Sequence, residues 1–203
     1  MGRAKILKVA WLSVGLVMEA ALLVAAAGFS KVPGLKPIVA DIVQKVSWSF
    51  IVCVGLASGA AASKSREAAM GLMGLFAAPA GFHVARVLHK SALQALNLAG
   101  PMAGGVPGPL VLALLKALEY SWLGAALARL SKHSSGGTAY AGLGLVTGVV
   151  FTGLILWLSL RGAAKPMTAA LVSKGINELL FPVGCSLVLF AAESAGRATS
   201  GSS

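Results

Sequence analysis

The chain has 203 residues, of which 57% are hydrophobic and only 11% charged, and its mean hydropathy is +0.85. A soluble domain carries about 45–50% apolar and about 25% charged residues, so an ordinary water-soluble fold is excluded. Seventeen Lys and Arg against six Asp and Glu leave a net charge of +11. Most of these cations flank apolar runs and form no basic face interleaved with aromatics, which argues for anionic lipid headgroups and against nucleic acid.

Apolar runs of bilayer-spanning length recur along the chain. Residues 1–8 are a basic leader with Arg3, Lys5 and Lys8, and the first span follows over 6–28. A basic start before an apolar run also describes a signal peptide, but this run is long for one and carries Glu19, so a retained helix is expected. Ile6 stands where a myristoylation signal on Gly2 would need Ser or Thr. Pro37 opens the second span, 37–62, at a position where proline is well tolerated. A charged turn, SKSRE, leads to the third span, 68–88, which Pro79 should interrupt. Residues 91–98 read as a short interfacial helix, and 97–108 (NLAGPMAGGVPG) is too rich in Gly and Pro for a helix interior. The fourth span is 109–130 and a polar hairpin loop leads to the fifth, 140–160. The sixth, 166–192, contains Pro182 as a second expected helix break. Residues 196–203 are small and polar and read as a disordered tail. The expectation is one transmembrane domain over 1–203, all-α, with six transmembrane helices.

A repeat runs through this pattern. Shifting the chain by 129 residues lays Lys36-Pro37 on Lys165-Pro166, Lys45 on Lys174, and Val54-Gly55 on Val183-Gly184. Pro109 and Lys116 echo the Pro-to-Lys spacing in the middle of the chain. Three pseudo-repeated helical hairpins account for these matches. The paired prolines Pro79 and Pro182 suggest a competing symmetry, two inverted three-helix halves.

The three lysines Lys45, Lys116 and Lys174 each sit two turns into an even-numbered helix, roughly 12 Å below its start. Glu119 and Glu178 follow at i+3 and i+4 from their lysines, where side chains meet. In the second span Trp48 takes that place, and Glu19 in the first span balances the count. On a helix Lys174, Glu178, Phe181 and Cys185 share one face, with Asn177 beside it. Each charge alone would cost about 2.5–3.5 kcal/mol at membrane depth, so pairing or a water-filled cavity is required. The structural alternatives are lysines snorkelling to the interface and carboxylates that only lock the helices. Asp41, one turn before Lys45, reads as a partner for it near the interface.

No zinc-spaced set, phosphate loop or nucleophile elbow is present, and the histidines His83, His89 and His133 make no haem pair, so neither metal, cofactor nor enzyme is expected. Cys53 and Cys185 lie in apolar segments and read as packing residues. Small-residue patterns (Gly55, Gly59 and Ala62; Gly142, Gly144 and Gly148) allow close helix approach in the bundle or in a homo-oligomer. Trp11, Tyr140 and Trp157 lie near span ends, as aromatic belts do. The charge bias favours cytoplasmic termini, in a bacterial inner or an organellar membrane. The functional expectation is a small transporter or channel whose pathway passes the Lys/Glu level, its cargo a small anion or proton-coupled solute. The alternative is a non-catalytic subunit of a larger membrane complex, its charges locking helices or binding lipid.

Overall fold

A computed structural model describes residues 35–61, 65–98, 108–133, 136–162 and 168–200. They form five helices: α1 (Leu35–Ala60), α2 (Arg66–Ala95), α3 (Pro109–Ser131), α4 (Gly137–Gly162) and α5 (Thr168–Ser200). All five are long and apolar enough to cross a membrane, and no strand occurs among the described residues. The first expected span, 6–28, and Glu19 within it lie outside the described residues. The repeat comparison that needs them, and Pro166, lies outside as well.

Local chemistry sets the helix ends. Pro109 occupies the first turn of α3 behind Gly108, where its missing N–H costs nothing. At the other extreme α2 stops at Asn97, whose φ of 56° is left-handed. There the Asn97 N–H bonds to Gln94 O at 3.0 Å and the Leu98 N–H to Leu93 O at 2.9 Å. This Schellman arrangement satisfies the last carbonyls of α2.

Several boundaries depart from expectation. The helix α2 runs without interruption from Arg66 to Ala95, so residues 91–95 extend the third span and form no separate interfacial helix. Pro79 and Pro182 lie inside unbroken helices. A proline deletes one backbone donor, yet both helices continue through it. A Cβ built on Gly144 would meet Pro182 O and Val183 Cα at 2.7 Å, so α4 lies directly against the proline turn. The helix α5 also extends to Ser200, through positions expected to be a disordered tail.

The packing divides into two groups. The helices α1, α2 and α3 pack closely in sequence order and α4 packs closely on α5, while contacts between the groups are sparser. Small residues make the close pairs possible. Gly59 abuts the backbone of Ala69 and Met70, Gly74 abuts the Tyr120 carbonyl, and Gly148 abuts Leu179. Gly142 and Gly153 face open space. The interior core contains Trp48, Val52, Cys53, Leu56, Met70, Tyr120, Leu123, Leu127, Tyr140, Phe181, Cys185 and Val188. Outside, large apolar side chains such as Phe76 (67% exposed), Leu110, Val87 and Val146 cover the bundle. Lys45, Lys116 and Glu119 are meanwhile buried. Apolar outside and charged inside is the distribution that lipid selects.

The glycine contacts carry a testable cost. Gly74→Ala should force α2 away from α3 and destabilise the fold by about 1–3 kcal/mol. Gly153→Ala, a helix-favouring change into open space, should leave stability unchanged or slightly higher. Thermal unfolding of both variants in detergent checks the contrast.

Candidate functional site

The register of α3 follows from its start. With Pro109 in the first turn, Leu112, Lys116, Glu119 and Leu123 fall on or beside one stripe, and that stripe turns inward. Lys116 is 5% exposed and Glu119 is 0% exposed. The Lys116 ammonium donates to Glu119 Oε2 at 2.6 Å, one turn along its own helix. It also forms an ion pair with Glu178 Oε2 of α5. One cation thus holds two carboxylates and ties α3 to α5.

Glu178 was expected to pair with Lys174 at i+4. It pairs instead across the bundle with Lys116, and Lys174 donates to Ser159 Oγ of α4 at 2.9 Å. The reason is geometric: α5 presents Glu178 towards α3, while the long Lys174 side chain reaches α4. Ser159 is fully used, because its hydroxyl also donates to Ile155 O at 2.7 Å. The rest of the expected α5 face holds, with Phe181 and Cys185 buried.

Beside the triad lies a cavity of about 90 Å³, roomy enough for several waters. Its polar lining is Gln44 and Lys45 from α1, Lys116 from α3, and Asn177 and Glu178 from α5. Trp48, Phe82, Leu112 and Phe181 supply its apolar walls. Of the seven charged or amide positions singled out in the sequence, Lys45, Lys116, Asn177 and Glu178 meet here. Glu119 sits behind Lys116, Lys174 is directed to α4, and Glu19 is outside the described residues. Lys45 and Lys116 are both buried within the bundle. Gln44 was missed, although an amide inside an apolar span is itself a signal.

The cavity floor is aromatic. Trp48 meets Tyr120, Phe181 and Phe82 edge-on, with ring centroids 5.7, 6.1 and 6.3 Å apart. The Lys116 ammonium lies 6.0 Å from the Trp48 ring and 5.8 Å from that of Tyr120, so the rings also stabilise the charge. A second void of about 10 Å³, lined by Ser49, Cys53, Tyr120 and Cys185, shares Trp48 and Phe181 with the first. These two rings therefore form the wall between the voids. Both cysteines are free and buried.

A different set of charges closes the opposite end of the bundle, where α2 and α4 begin and α3 and α5 end. Arg66 forms an ion pair with Glu193, and the Tyr140 hydroxyl donates to the other oxygen of Glu193 at 2.7 Å. Tyr140 is therefore a buried clamp, where a belt residue was expected. On the exposed rim Glu67 accepts from Arg129 and Lys132, each at 2.6 Å, contacts that solvent screens heavily. Asp41 lies 3.7 Å from His89 Nδ1. His83 is exposed, edge-on to Phe82 at 5.7 Å. Among the described residues no group of three or more His, Cys, Asp or Glu could hold a metal.

No known protein family matches this chain, and no curated protein or solved structure is detectably similar to it. What the site can do follows from its own chemistry.

That chemistry ranks the lysines. Lys116→Met leaves Glu119 and Glu178 facing each other without their cation and should destabilise the fold by about 3–5 kcal/mol. Lys174→Met removes one hydrogen bond from a half-buried group and should cost about 1 kcal/mol. Unfolding of the two variants in detergent, with Lys116→Met/Glu119→Gln/Glu178→Gln as the rescue, measures the difference.

Proposed function

We propose that the chain is a small transporter or channel whose pathway passes the Lys/Glu level, with a small anion or proton-coupled solute as cargo. The observation that carries this reading is the cavity in which Lys45, Lys116, Glu178, Gln44 and Asn177 converge inside an otherwise apolar bundle. A packing lock needs only its ion pairs. It has no use for a void and two amides beside them, because polar groups facing empty space are costly unless something polar enters. The wall of Trp48 and Phe181 between the two voids fits a closed barrier in such a pathway. Membrane lipids surround the bundle in this reading, further copies or other membrane subunits pack on its apolar outside, and the termini are cytoplasmic. The cavity then opens towards the external or luminal side.

A second reading is favoured by one specific contact. Lys116 pairs directly with both carboxylates, which is what a purely structural lock in a larger membrane complex would do.

Flux separates the two. Proteoliposomes loaded with chloride or nitrate should release the anion through the wild-type chain, with acidification recorded in parallel. Glu178→Gln should stay folded by size-exclusion chromatography and lose most of that flux. Folded wild-type protein that moves neither anion nor protons, in either direction of the gradient, would sink the transport reading and leave the complex subunit.

A further inference from the structure

Lys116 is one cation shared by two carboxylates, and the two are not equivalent. Glu178 borders the cavity, whereas Glu119 lies behind Lys116 and is fully buried. Glu119 Oε2 accepts from Lys116, but Glu119 Oε1 is buried without any hydrogen-bond partner. A buried carboxylate oxygen with no donor carries charge that nothing local compensates, and a bound proton removes that charge.

We propose that Glu119 is a proton-binding site whose occupancy decides whether Lys116 is available to a small anion in the cavity. The inference rests on the transport reading above and names its coupling ion. Lys116 touches both carboxylates, so it is also the proton's route. Glu178 takes a proton from cavity water. Lys116 passes an ammonium proton to Glu119 Oε2, breaking an N–H bond and forming an O–H bond. The resulting amine then takes the proton held by Glu178. The sum is one proton moved from the cavity to Glu119, with Lys116 again an ammonium. An O–H and an ammonium now face each other as two donors, so Lys116 leaves Glu119 and stays paired with Glu178 alone, at the edge of the cavity.

The charge balance gives the consequence. The groups facing Glu119 are Lys116 and Tyr120 on its own helix and Glu178 on α5. Among the described residues the buried side chains of α2 and α4 are all uncharged. Whatever the absolute sum, a proton on Glu119 adds one positive charge to this level. Anion affinity must rise with it, and by reciprocity a bound anion must hold the proton more tightly. The two therefore move together.

The test begins with the purified chain in lipid bilayers, without any flux assay. Infrared difference spectra between about pH 9 and pH 5 should show a protonated-carboxyl band. The band should be absent in Glu119→Gln and retained in Glu193→Gln. Glu119→Asp should shift it, which keeps the test open should the glutamine variant misfold. Chloride, the probe for the cavity, should bind the wild type with an apparent Kd that rises roughly tenfold per pH unit as Glu119 loses its proton. In Glu119→Gln chloride binding should be tight and independent of pH. A band untouched by both Glu119 substitutions, chloride affinity that keeps its pH dependence in Glu119→Gln, or a requirement for sodium in place of protons would each overturn the proposal. Flux without the Glu119 band defeats this inference alone. The band without any flux defeats the transport reading and leaves the proton site standing.

Discussion

Everything inside this bundle depends on the placement of one ammonium group between two carboxylates. Lys116 could not be buried alone, since a lone charge at membrane depth costs about 2.5–3.5 kcal/mol even on lenient scales. Glu119 and Glu178 could not be buried beside each other without it. Once the three are together, α3 and α5 are bound at a fixed depth and the neighbouring side chains are constrained in turn. Trp48 and Tyr120 present ring faces near the cation, Phe181 closes against Trp48, and Asn177 is left at the cavity edge. The polar centre thus selects its aromatic surroundings.

A polar centre of this kind needs helices that approach closely, because lipid supplies no hydrophobic drive between them. Glycine provides the approach where backbones touch: Gly74 on Tyr120, Gly124 on Met70, Gly144 and Gly148 along α5. Hydroxyls are hidden the same way. Thr147, Ser159 and Ser186 each donate to the carbonyl four residues back, so they add polarity without leaving a donor exposed to the core. The outer surface then needs only bulk and apolarity, and Phe76, Leu110 and Trp122 provide it.

What could be read in the sequence, and what could not, follows from the range of each interaction. Helices declared themselves through apolar run length, and Pro109 marked the start of α3, from which Lys116 is counted. Glu119 was legible as the partner of Lys116, being an i+3 neighbour. Glu178 was legible as inward-facing but not as the partner of Lys116, since its pairing depends on how α5 is rotated against α3. The i+4 rule pointed to Lys174, and tertiary geometry overrode it. The prolines misled for a related reason. Pro79 and Pro182 weaken their helices locally, yet whether a helix breaks there depends on what packs over the turn, which only the assembled bundle reveals. Glu193 carried no spacing signal at all and became significant only through Arg66 and Tyr140, more than fifty residues away in the chain.

The links between the two helix groups differ in kind from the links within them. Within α1–α3, and within α4–α5, backbones meet at glycines, and such contacts tolerate no sliding because a displaced ridge immediately collides. Between the groups the joints are the Lys116–Glu178 pair, the Arg66–Glu193 pair, the Trp48–Phe181 edge contact and the neighbouring thiols Cys53 and Cys185. Ion pairs exchange partners with water at modest cost, and an edge contact between two rings gives way by rotating a side chain. The seam between α1–α3 and α4–α5 is thus held by fewer and softer contacts than either group. That seam holds the cavity near one end and the Arg66–Glu193–Tyr140 clamp at the other. The Trp48–Phe181 contact lies between them. The charges that make the fold expensive are thus placed where backbone contact is sparsest.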